Sequence, residues 1–144
     1  MLDYLRDVAI ISACRKDRDV YDTCPFMLDL KEDLLREGYT PEKRMSKLDG
    51  WLHSVYIVPI IQVSNDFKLL KDISLKLFQD LARKYEQDTF IYGGILYDTR
   101  LNMLKYYTCA TIYVSNTDSR NKLTKKLNKT GWISIERDYH LVLS

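Results

Sequence analysis

The sequence predicts an α+β fold: a single domain over residues 1–144, with a mixed sheet of about five strands and three helices in the order β-α-β-α-β-β-α-β. Three observations predict it. Short apolar runs rich in Val, Ile and Tyr alternate with segments whose apolar residues recur every three or four positions. The 5 Gly and 3 Pro act as punctuation between these segments. No repeat, low-complexity tract or linker divides the 144 residues, a length usual for one domain.

Val8-Ala9-Ile10-Ile11-Ser12-Ala13-Cys14 is a short apolar run, as in a strand buried on both faces. A charged loop, Arg15 to Asp22, follows. Thr23 and Pro25 open a helix, one as a capping hydroxyl, the other in the first turn where its missing N–H costs nothing. Met27, Leu30 and Leu34, with Leu28 and Leu35, carry helical spacing, and Gly38 closes the helix. Residues 40–50 are polar and read as irregular. Residues 51–63 read as a second strand, in which Pro59 marks a bulge, an edge or an end. Ser64-Asn65-Asp66 caps the longest helix, whose stripe is Phe67, Leu70, Leu77, Phe78, Leu81 and Tyr85. A third strand, Thr89 to Tyr92, meets Gly93-Gly94, and Ile95-Leu96-Tyr97 follows. Beyond a turn at 98–102, Met103 to Val114 reads as one long strand. A third helix spans about residues 118–130 and ends at Gly131; residues 132–143 form a last strand or a pair of short ones.

Composition narrows the function classes. Hydrophobic content of 46% and charged content of 29% exclude wholesale disorder. No apolar run approaches the ~20 residues that cross a bilayer, and the opening residues do not read as a signal peptide. Three cysteines, Cys14, Cys24 and Cys109, are odd in number and lack C-x-x-C spacing, so reduced thiols in a cytoplasmic protein are expected. No metal site and no cofactor are expected: the two histidines, His53 and His140, stand alone on strands. They also lack the hydroxyl two residues on that paired-histidine phosphoesterases use, having Val55 and Val142 there. No phosphate-cradling glycine loop or nucleophile elbow occurs, and no catalytic residue is assigned.

Two places carry candidate binding residues. The net charge of +2 hides an uneven distribution, since residues 101–144 hold 7 basic groups against 3 acidic ones. Arg120, Lys122, Lys125, Lys126 and Lys129 fall on the predicted third helix, which has no acid after Asp118. Tyr106, Tyr107 and Tyr113 on the preceding strand offer stacking surfaces, and cations with aromatics are what nucleic acids bind. An acidic protein partner would use the same cations. The second place is the loop after the first strand, where Arg15 and Arg18 precede a helix N-terminus. With Gly93 and Gly94, which let a backbone approach closely, these arginines form the alternative, phosphate-binding site.

Residues 8–94 resemble a small bacterial and phage α+β domain family of unknown function. The likeness lies in Ala9-Ile10-Ile11-Ser12-Ala13, the leucine-patterned helix from Leu28 to Gly38, Ser54-Val55-Tyr56-Ile57-Val58, and the run from Leu81 to Gly93. Where that family places an asparagine near the start of the first helix, this chain has Thr23 and Cys24. The resemblance implies fold and no activity.

The expectation is thus a non-enzymatic, intracellular binding protein. Its partner is a protein or a nucleic acid, engaged through the basic C-terminal helix, and no membrane is involved. Scarce Ala and abundant Tyr (11) suit an AT-rich genome, such as that of a phage or mobile element. An accessory factor that regulates a host process fits that context. The alternative is a small nucleotide- or phosphate-binding protein or enzyme using the loop after the first strand.

Overall fold

Four residues without a polar side chain, Val8–Ile11, make β1, and strands flank it on both sides. The computed structural model describes residues 6–17, 24–48, 51–60, 67–107, 110–114, 132–136 and 139–143. Among these, α1 (Phe26–Arg36) follows β1, and a hairpin of β2 (Glu42–Leu48) and β3 (Trp51–Pro59) comes next. Then come α2 (Phe67–Lys84), β4 (Thr89–Tyr92), β5 (Ile95–Asp98), β6 (Met103–Tyr106), β7 (Ala110–Val114), β8 (Trp132–Glu136) and β9 (Tyr139–Leu143). The α+β class holds, but the described residues form a sheet of nine strands in the order β6-β5-β4-β1-β3-β2-β8-β9-β7.

The expected mixed sheet is corrected, because every described pairing is antiparallel. Each helical crossover does return the chain parallel to the strand it left, but a third strand lies between. β3 separates β1 from β2, and β1 separates β3 from β4. Residues 8–92 thus form the split β-α-β, or ferredoxin-like, arrangement.

Three further expectations change. Residues 42–48 are a strand, paired with β3 from Glu42↔Ile57 to Leu48↔Trp51. Their charged composition hid it, since neighbouring strands can outweigh local propensity. The expected long strand from Met103 to Val114 is two strands at opposite ends of the sheet order. Leu28 and Leu35 are exposed, because α1 turns Met27, Leu30 and Leu34 inward and these two outward. The third predicted helix lies outside the described residues, as do Arg18, Thr23 and the Ser64–Asp66 cap.

Both described helices pack on one face of the sheet. Leu30 and Leu34 of α1 and Phe78 and Ala82 of α2 join Ala9, Ile11, Tyr56, Val58 and Tyr92 in one core. Phe78 lies between two tyrosine rings, with centroids 5.5 Å from Tyr39 and 5.7 Å from Tyr92. A left-handed glycine ends α1: Gly38 has φ +88°, its N–H meets the Leu35 carbonyl, and the Tyr39 N–H meets that of Leu34.

The opposite face is buried too, at Val8, Ile10, Val55, Ile57 and Ile91. Connectivity supplies the reason. A flat sheet of this order would hold its outer strands about 38 Å apart at ~4.8 Å per strand. Yet Tyr106 of β6 and Ala110 of β7 are separated by residues 107–109, a span of at most roughly 14 Å. The sheet therefore curls back on itself, with the helices outside.

Candidate functional site

The segment after β1 is held down by hydrogen bonds at Ser12, Cys14 and Arg15, which positions one wall of a cleft. The buried Ser12 hydroxyl donates to the Ser54 carbonyl at 2.7 Å and accepts the Cys14 N–H at 3.0 Å. The Gln87 side-chain amide donates to the carbonyls of Cys14, at 3.0 Å, and Tyr85, at 3.1 Å. Arg15 donates to both carboxylate oxygens of Asp17 at 2.9 Å and to the Glu86 carbonyl. Asp17 raises the Arg15 guanidinium's affinity for its proton still further.

Glu86 ends α2 in an unusual way. Its φ is +56°, its N–H meets the Arg83 carbonyl, and the Gln87 N–H meets that of Ala82 at 2.8 Å. This is the hydrogen-bond pattern that ends α1, with glutamate where glycine normally sits. A side chain in that conformation costs roughly 1–2 kcal/mol.

These residues border a cleft of about 550 Å³ on the sheet face away from the helices. Its floor is Ile10, Val55, Ile91 and Leu96. At one side Trp51 and His53 stack at 4.1 Å with planes 9° apart. Residues two apart on a strand share a face, so both rings open into the cleft. His53 Nδ1 lies 3.4 Å from the Trp51 carbonyl oxygen. At another side Lys105 Nζ sits 5.2 Å from the centre of the Tyr107 ring, a cation–π distance. Burial pushes the Tyr107 hydroxyl above its usual range, so it stays neutral. Charges of both signs line the cleft: Arg15, Lys16 and Lys105 against Asp17, Glu86 and Asp88.

Of the residues the sequence singled out, Arg15 and Tyr107 line this cleft. Gly93 and Gly94 form the two-residue turn between β4 and β5, at φ +59° and +82°, as a twisted hairpin requires. The Gly93 N–H meets the Val8 carbonyl at 3.0 Å, so the turn lies at the start of β1 and Arg15 lies beyond its end. The structure does not bring the two glycines and Arg15 together. Arg18, Arg120, Lys122, Lys125, Lys126 and Lys129 lie outside the described residues. Tyr106 is exposed on β6. Sequence reasoning missed the Trp51–His53 pair, although its spacing on a predicted strand was the available signal.

Cys14 is not poised as a nucleophile. Burial, with hydrogen bonding to Cys24, pushes its thiol up to about 12. Among the described residues no three His, Cys, Asp or Glu side chains gather as metal ligands. No described helix is long and apolar enough to cross a membrane. No family model, no curated protein and no solved structure matches this chain.

Proposed function

We propose that this chain is a binding protein whose ligand is a nucleotide, held in the cleft formed by the curled sheet. One observation carries the reading: two aromatic platforms, Trp51–His53 and Lys105–Tyr107, open into one cleft of about 550 Å³. That volume falls among pockets for small ligands, commonly ~300–1,000 Å³. Both signs of charge find a use. Arg15 and Asp17 bind each other, leaving Lys16 and Lys105 for a phosphate. Glu86 and Asp88 accept from the amino and ring N–H groups of a base.

The test is a thermal-shift panel of nucleoside mono-, di- and triphosphates, with Trp51 fluorescence read in a Trp132→Phe background. A ligand at ~100 times its Kd stabilises by ~2.7 kcal/mol. Trp51→Ala and Lys105→Glu should each weaken binding at least tenfold. A flat response across the panel refutes the reading.

A second reading rests on the sequence: five cations with no acid from Ser119 to Gly131. Here a nucleic acid or an acidic protein binds that segment. Changing Lys122, Lys125 and Lys126 to Glu should abolish binding of single-stranded oligonucleotides or of a co-purifying partner. Unchanged binding would exclude it.

A further inference from the structure

Two thiols lie near each other beneath the cleft wall. Cys14 is buried and Cys24 is half-buried, just before Pro25 at the start of α1. Cys24 Sγ donates to the Ala13 carbonyl at 3.4 Å, beside Cys14 in the chain. The two side chains lie near enough for each thiol to influence the other's proton, and Cys24 packs against the core cluster that contains Cys14. The chain between them carries Arg15, Lys16 and Asp17, which line the cleft.

We propose that Cys14 and Cys24 form an oxidisable pair that hydrogen peroxide converts to a disulfide, tying the cleft wall to the start of α1. Cys24, the more accessible sulfur, reacts first. Its thiolate attacks one peroxide oxygen, the O–O bond breaks, and the departing hydroxide takes up the thiol's proton as water. Cys24 is left as a sulfenic acid. The Cys14 sulfur then attacks the Cys24 sulfur. The S–S bond forms, the S–O bond breaks, and the hydroxyl leaves with the Cys14 proton as a second water. Two thiols lose two electrons in all, and one peroxide becomes two waters. Burial makes Cys14 slow toward external reagents, but a partner held close by gains the large advantage of an intramolecular reaction. Only the effect on ligand rests on the nucleotide reading; the cross-link does not.

The experiment treats the full chain with hydrogen peroxide, blocks free thiols and maps tryptic peptides without reduction. The expected product is Asp7–Arg15 joined to Asp19–Lys31, with the loss of two hydrogen atoms, and it reverts with a thiol reductant. In Cys14→Ser, Cys24 should persist as a sulfenic acid that dimedone traps; in Cys24→Ser, Cys14 should stay reduced. A bridge to Cys109, a Cys24 sulfinic acid beside free Cys14, or unreacted thiols would each overturn the proposal. Nucleotide affinity, compared before and after oxidation, should change at least threefold. If the cross-link forms and neither state binds nucleotide, the redox pair stands and the nucleotide reading fails. If the cross-link forms and affinity is unchanged, the coupling to the cleft is overturned.

Discussion

The Tyr85 hydroxyl donates to Asp33 Oδ2 at 2.5 Å, joining the residue after α2 to the inward face of α1. Lys84 Nζ meets the same oxygen at 2.7 Å, and Arg36 meets the other at 3.3 Å. Asp33 is buried, whereas the Lys84 side chain is 58% exposed. Removing the acceptor should therefore cost more than removing the ammonium. Asp33→Ala should lose about 1.5–3 kcal/mol, the range for hydrogen bonds to a charged group. Lys84→Met should lose less than about 1 kcal/mol, as exposed ion pairs do. Urea unfolding of both variants at neutral pH measures the difference.

The same cluster sets a pH dependence. Burial opposes ionisation of Asp33, but the hydrogen bonds from Lys84 and Tyr85 and the charges of Lys84 and Arg36 outweigh it. The folded carboxyl therefore titrates below the usual ~3.9. Its contribution to stability is present above that pH and is lost as pH falls through the folded value. Burial and the Asp33 hydrogen bond shift Tyr85 the other way. Its contribution is present below pH ~10 and is lost as pH rises through its raised folded value. Asp33→Ala should flatten both limbs of a stability–pH curve measured by urea titration.

Ser12 satisfies two buried groups with one hydroxyl. Ser12→Ala leaves the Ser54 carbonyl and the Cys14 N–H without it, and should cost about 2–3 kcal/mol. Nucleotide affinity should fall as well, because the same bonds hold the segment that carries Arg15 and Lys16. Chemical unfolding and a binding titration separate the two losses.

Backbone conformation yields a pair of opposite outcomes. Glu86→Gly should raise stability by about 0.5–1 kcal/mol, since glycine adopts φ +56° without steric cost. Gly93→Ala should lower it by about 1–2 kcal/mol through its φ of +59°. A Cβ there would lie 3.7 Å from the Arg6 carbonyl oxygen, an ordinary contact, so the backbone carries the cost. Gly93→Asn should recover most of the loss, because asparagine tolerates that turn. Thermal melts of the three variants decide it.

Cys14 should resist alkylation. Burial holds its thiol well above the range of an ordinary cysteine, so little of it is thiolate at pH 8 and its reaction is greatly slowed. Iodoacetamide labelling followed by peptide mapping should show Cys14 reacting at that reduced rate in the folded protein and normally in urea.

The strands that were legible in the sequence are those whose burial leaves an apolar signature. Val8–Ile11 and Thr89–Tyr92 are buried along nearly their whole length, and their residues show it. Glu42–Leu48 was hidden because Glu42 and Lys43 are exposed and Arg44 is only half-buried, so pairing with β3 decides its conformation. The split between Met103–Tyr106 and Ala110–Val114 depends on partners far along the chain, which local composition does not encode. The cleft was legible in part. Arg15 and Tyr107 could be singled out as binding groups, but their sharing one cavity with Trp51 and His53 follows from the sheet's strand order.

The central position of β1 has a consequence for how the chain folds. Val8 pairs with Pro59, 51 residues away, and Ala9 with Tyr92, 83 away. Neither neighbour can be reached through a short loop, so the hub of the sheet is the strand with the costliest loop closures. Folding should therefore be slow for a chain of this size, because non-local pairing must precede the hydrophobic gain. The β2–β3 and β4–β5 hairpins can form early and locally, each with one edge, that of β3 or β4, open toward β1. Insertion of Val8–Ile11 between them is the step that closes both edges and unites the two halves of the core.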